Sequence, residues 1–307
     1  MSEVIKERSY KNDIRLGVFI VLGFAAIVLL SRTIDARRSA PDQSIEEEKL
    51  YVTGNTAKRM SLGFNGLAAD WYWMRSLQYV GRKVLSLESD VPLDDLGSLN
   101  LKLLAPLLDT ATTLDPAFVE PYEYAAIVLP AVDVDAAIRL AQKGIAANPG
   151  SWRLHYHLGY IYWQRGDFLK AAETFRTGSE VPGAPPWMRA MEAKMTAQGG
   201  SRTTAREIYR RMLDGSDDPK VKDMAALRLL QLDSLDQRDA LRKVLAAYKE
   251  LRHECPGSWT ALAPGLQSLR FSFDRQGSPL DPTGSPYTLV KDGCDVDLDP
   301  KSPIPTK

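Results

Sequence analysis

Apolar and polar positions follow three different rhythms along the chain. From Leu16 to Leu30 no charge interrupts an apolar run, and Arg15 and Arg32 flank it. At about 1.5 Å per residue, the run at 14–31 comes close to the thickness of a bilayer core once both arginines snorkel. A buried helix would show polar punctuation, and a cleaved signal peptide would be followed by small residues. Here Ser31-Arg32-Thr33-Ile34-Asp35 follows, so the segment predicts an uncleaved transmembrane signal anchor. Residues 1–13 read as a polar tail and 32–60 as a charged linker, extended or irregular at 50–59. From 61 the period becomes helical. Leu67, Trp71, Met74 and Gln78 share one face, and Phe64, Ala68, Tyr72, Arg75 and Tyr79 share the next. After a loop at 87–100, Leu101, Leu104, Leu107, Leu108, Ala111 and Leu114 give an amphipathic helix, so 61–117 reads as an aromatic helix pair. Further on, 221–232 and 236–251 predict two capping helices within 220–254. The tail at 255–307 is broken by Pro and Gly, with a strand-like alternation at 269–273 and an extended piece at 287–290.

Between these flanks, three blocks of 34 residues lie in register at 118–151, 152–185 and 186–219. Small residues recur at Ala125, Gly159 and Ala193 and again at Ala137, Ala171 and Ala205, where paired helices must approach closely. Phe175 and Tyr209 fill space one turn later, and Ala141 holds that place in the first block. A constant period with two helical patterns per block marks a helix–turn–helix solenoid. The middle block, with Leu158-Gly159-Tyr160, Gly166-Asp167-Phe168, Ala171-Ala172 and Phe175, resembles a tetratricopeptide repeat. The blocks beside it are degenerate: Pro130 and Val132 replace the Gly-Asp turn in the first, and Glu192 stands where Leu is usual in the third. The segment from Gly66 to Trp73, with Gln78-Tyr79, resembles the opening helix of membrane-anchored tetratricopeptide proteins of bacteria. Asp281-Pro282-Thr283-Gly284-Ser285-Pro286-Tyr287 resembles a turn near the C-termini of secretion-system pseudopilins. The expected fold is therefore all-α. It is a right-handed tetratricopeptide-like solenoid preceded by one transmembrane helix and followed by a Pro-rich, partly extended tail.

Charge narrows the partners. Lys plus Arg is 39 and Asp plus Glu is 39, so the chain lacks the net basic character of a nucleic-acid binder. Lys6, Arg8, Lys11 and Arg15 precede the apolar run and Arg32, Arg37 and Arg38 follow it. That bias places the N-terminus inside and the C-terminal part outside the cytoplasmic membrane, in a periplasm if the cell has one. Cys255 and Cys294 can form one bridge if both face an oxidising compartment.

Catalytic chemistry is not legible. His155 and His157 stand two apart on a helix and point to different sides, so they cannot chelate one metal. His253-Glu254-Cys255 lacks further ligands. No phosphate-cradling glycine loop and no nucleophile elbow appears, so neither enzyme, cofactor nor metal is expected. The resemblance instead implies a groove lined by the inner helices, at Tyr122, Arg153, Tyr156, Tyr160, Trp163, Gln164, Trp187 and Lys194. Leu158 and the recurring small and bulky residues form the repeat core. Rings and long polar chains on such a face have the composition of a binding hot spot. The expected function is a membrane-anchored scaffold for a protein or peptide, within a bacterial envelope assembly. The alternative is a structural subunit whose own chain fills the groove and which docks through 64–79 and the tail.

Overall fold

The computed structural model describes residues 22–33, 52–85, 96–267 and 269–306. The chain divides into two units, Met1–Val52 and Thr53–Lys307. In the first unit, residues 22–33 are helical, with Leu22, Phe24, Ile27, Val28, Leu29 and Leu30 exposed. Among the described residues no helix is long and apolar enough to cross a membrane. This corrects the expected transmembrane helix, and with it the single-pass, N-terminus-inside localisation drawn from it. The rest of the apolar run, residues 14–21, lies outside the described residues, as do the expected tail at 1–13, most of the linker and most of the loop at 87–100.

The second unit is a solenoid-like succession of helices, most of them packed chiefly on their sequence neighbours. In order they are α1 (Gly54–Met60), α2 (Asn65–Leu85), α3 (Leu104–Leu114), α4 (Val119–Val128), α5 (Val134–Ala147), α6 (Trp152–Gln164), α7 (Phe168–Ser179), α8 (Trp187–Gln198), α9 (Arg202–Gly215) and α10 (Pro219–Arg252). A short α11 (Ala263–Leu266) and the strands β1 (Tyr287–Val290) and β2 (Asp295–Leu298) follow. Where an irregular stretch was expected at 50–59, α1 forms and buries Gly54 and Ala57 against α3.

Local chemistry sets the helix boundaries. Asp133 caps α5 by accepting from the Ala136 amide, and Asp167 caps α7 by accepting from Lys170. At the far end of α6 the chain reverses through Gly166, at φ +74°, with the Asp167 amide donating back to the Tyr162 carbonyl. Gly200, at φ +97°, ends α8 in the same way. Both are left-handed conformations that glycine adopts without penalty. One further period along stands Ser234, which is buried inside a helix. That explains a correction to the expected capping pair: with no left-handed residue at the turn position, its two helices run on as the single 34-residue α10.

The first half of α10 packs on α9. Ala225 and Leu232 join Ala193, Ala205, Ile208, Tyr209 and Met212 in one core. The second half carries the C-terminal segment. Leu241 and Leu245 pack with Trp259, Leu262, Leu266, Tyr287, Val296, Leu298 and Ile304. β1 and β2 pair antiparallel with Tyr287 opposite Leu298 and Val290 opposite Asp295. A disulfide between Cys255 and Cys294, Cα atoms 5.1 Å apart, ties the hairpin turn to the chain leaving α10. Asp281 draws its loop together, accepting from the Thr283 and Ser285 amides and from the Thr283 and Ser302 hydroxyls. The strand expected at 269–273 does not form; only Phe273 makes an isolated bridge, to Pro279.

Candidate functional site

α6 places Trp152, Tyr156, Tyr160 and Trp163 at intervals of four, four and three residues, so all four fall on one face. The opposite face holds the core: Leu154, Leu158 and Ile161 are buried. A fifth ring arrives from α8, whose first residue Trp187 meets Trp152 edge-on at 5.8 Å and Tyr156 edge-on at 5.2 Å. Tyr160 then meets Trp163 edge-on at 5.5 Å, and the Lys194 ammonium lies 4.8 Å from the Trp163 ring centre. These are the separations at which ring quadrupoles and a cation attract. The row stays open to solvent, with Tyr160 40% and Trp187 42% exposed.

Charges mark both ends. Beyond Trp152 a cleft of about 470 Å³ is bounded by Glu120, Glu123 and Arg153, and the Arg153 guanidinium lies 5.2 Å from the Trp152 ring centre. Burial pushes the Glu123 carboxyl above the ordinary range, while Arg153 pulls it back. At the other end, burial and then the charge of Arg228 lower the Lys194 ammonium. Burial, aided by Arg153, keeps His157 below the usual imidazole value. The arrangement offers an apolar strip for side-chain anchors and a charged group near each end.

Of the expected groove residues, the structure brings together Tyr156, Tyr160, Trp163, Trp187 and Lys194, with Arg153 at the rim and Gln164 exposed at the end of α6. Tyr122 is a correction. It is fully buried, its hydroxyl donates to the Thr112 carbonyl at 3.4 Å, and its ring lies on Gly144 of α5. A Cβ at Gly144 would come within 2.8 Å of that ring, so the missing side chain opens the slot that draws Tyr122 inward. Trp152 belongs to the row although its place at the very start of α6 gave no reason to count it. Its signal was the four-residue step to Tyr156. Ala125, Ala137, Leu158, Gly159, Ala171, Phe175, Ala193, Ala205 and Tyr209 are all buried between helices.

A second aromatic group lies on α2. Trp73 faces inward, edge-on to Phe118 at 6.1 Å and Tyr124 at 5.3 Å, while Phe64, Leu67, Trp71 and Met74 are exposed. Among the described residues no group of three or more His, Cys, Asp or Glu could hold a metal ion. No family model matches the chain. No curated protein matches it. Among solved structures, a chain described as MamA MSR-1 C2 is similar at 19% identity, with a TM-score of 0.31, over 52% of this chain and 97% of that one.

Proposed function

We propose that the chain is a scaffold that holds a protein or peptide partner across the aromatic face of α6 and α8. The observation behind this reading is the open ring row from Trp152 to Trp163, closed at one side by Trp187 and Lys194. Rings already held by edge contacts lose little freedom on binding, which is why pre-ordered Trp and Tyr dominate hot spots. A partner with apolar anchors flanked by charge suits the strip, with Glu123 and Arg153 at one end and Lys194 at the other.

Replacing Tyr156, Tyr160 and Trp163 together by alanine should weaken partner capture by about a hundredfold or more, because hot-spot truncations each cost roughly 2 kcal/mol. Circular dichroism should stay unchanged, since these rings sit on the solvent side of α6. Undiminished capture by a folded triple variant would reject the site.

One observation favours a second docking surface. Phe64, just before α2, and Leu67, Trp71 and Met74 on α2 form an exposed apolar stripe. A groove filled by the chain's own tail has less support. The described hydrogen bonds from 285–306 to the helices go to α10, at Gln231, Ser234, Gln237, Arg238 and Arg242.

A further inference from the structure

The second half of α10 and the turn that follows it enclose an open cleft of about 620 Å³, within the roughly 300–1,000 Å³ usual for small-molecule sites. Val244, Ala247 and Leu251 line it from α10, and Leu262, Pro264 and Leu269 line it from the opposite side. Leu251 is 77% exposed, an apolar side chain left at the mouth. Among the described lining residues the charged ones are Lys243 and Arg252, with no acid. Nine residues apart, they stand about 14 Å from each other along the helix. Neither forms an ion pair among the described residues. On the same helix Arg238 and Arg242 do have acidic partners, Asp297 at 3.0 Å and Asp295 at 2.9 Å.

We propose that this cleft binds a single-chain amphiphile with an anionic head, of the fatty-acid class. An alkyl tail needs only apolar contact, which the walls supply. A peptide would bring a backbone donor and acceptor at every residue, and each needs a partner when it leaves water. The lining side chains offer little for that beyond the Tyr248 hydroxyl and the two cations. Either cation supplies what a carboxylate head requires, and with no ion pair among the described residues each is available to it. The cleft shares no residue with the aromatic face, so the two sites stand or fall separately.

The test is calorimetric titration of the full chain with dodecanoate below its micelle concentration. Dodecyltrimethylammonium, with the same tail and the opposite head, is the comparison. Dodecanoate should bind, and the cationic amphiphile should bind about tenfold more weakly, the scale of reversing an exposed charge contact. Ala247→Trp, which fills the cleft from an exposed helix position, should abolish binding. Ala246→Trp, on the next residue and outside the lining, should leave it intact. The pair Lys243→Glu and Arg252→Glu should lower affinity for dodecanoate about tenfold. Equal binding of both head groups, or unchanged binding by Ala247→Trp, would overturn the proposal. So would displacement of dodecanoate by an apolar, acid-ended peptide at lower concentration.

Discussion

Valine in place of Gly178 is expected to lower the free energy of unfolding by about 3 kcal/mol, the upper range for overpacking a tight core. Gly178 is buried in α7 between two neighbouring helices. A Cβ there would lie 2.5 Å from the His155 Cβ on α6 and 2.5 Å from the Met188 Cε on α8. The Met188 terminus can swing away, but the His155 Cβ moves only with the backbone of α6. The helices must therefore separate, and Leu154 and Phe175, both fully buried, lose contact. Gly178→Ala gains up to about 1 kcal/mol of helix propensity yet still meets His155, so it should be destabilising by less than valine. Urea unfolding followed by circular dichroism checks both. A midpoint for Gly178→Val equal to that of the natural chain would show that α6, α7 and α8 are not packed this closely.

The second large effect is expected at Tyr287. Its ring is 1% exposed within the C-terminal core, and its hydroxyl donates to Gln237 Oε1 at 2.8 Å, with Ser234 Oγ at 3.1 Å. The indole nitrogen of Trp259 donates to its backbone carbonyl at 2.9 Å. Tyr287→Ala should cost about 3–5 kcal/mol, as for other large buried rings. Tyr287→Phe keeps the packing and should cost about 1–2 kcal/mol for the lost hydroxyl contacts. Burial pushes the Tyr287 and Tyr209 hydroxyls up to about 12. Below pH 10 both folded and unfolded chains keep these protons and nothing changes. Between pH 10 and 12 the unfolded chain releases them while the folded chain does not. Stability should therefore fall as pH rises there, by about 1.4 kcal/mol per unit for each group. Tyr287→Phe should remove that residue's own share, about 1.4 kcal/mol per unit. A tail merely resting on α10 would show neither the loss in Tyr287→Ala nor Tyr287's share of the alkaline slope.

The helical character of 118–219 was legible because its signal is repeated. Small residues at a constant 34-residue interval point to helices in close approach, and the positions of Gly166 and Gly200 mark where they turn. The end of the succession was harder to read. Two helical patterns at 221–232 and 236–251 look the same whether joined or separated, and what decides is the single residue Ser234 at the turn position. Tyr122 and Tyr156 occupy the same place in successive blocks, yet one is core and the other lines the open face. Gly144, more than twenty residues away, makes the slot that takes Tyr122 in, and no local pattern carries that information. The apolar run at 14–31 shows how far hydropathy reaches: it measures a preference for leaving water. The cleft at 240–269 joins α10 to a Pro-rich turn, so neither segment announces it alone.

Binding across the face of α6 is tested most directly by where a partner touches it. Tyr160→p-benzoylphenylalanine puts a photo-crosslinker in the middle of the ring row, and Glu173→p-benzoylphenylalanine puts one on the exposed side of α7. Irradiation of cells that make the protein naturally should yield a covalent adduct with a second polypeptide from position 160 and none from 173. That adduct should disappear when Tyr156 and Trp163 are also changed to alanine. No adduct at 160, or equal adducts at both positions, would contradict a partner seated on the aromatic row.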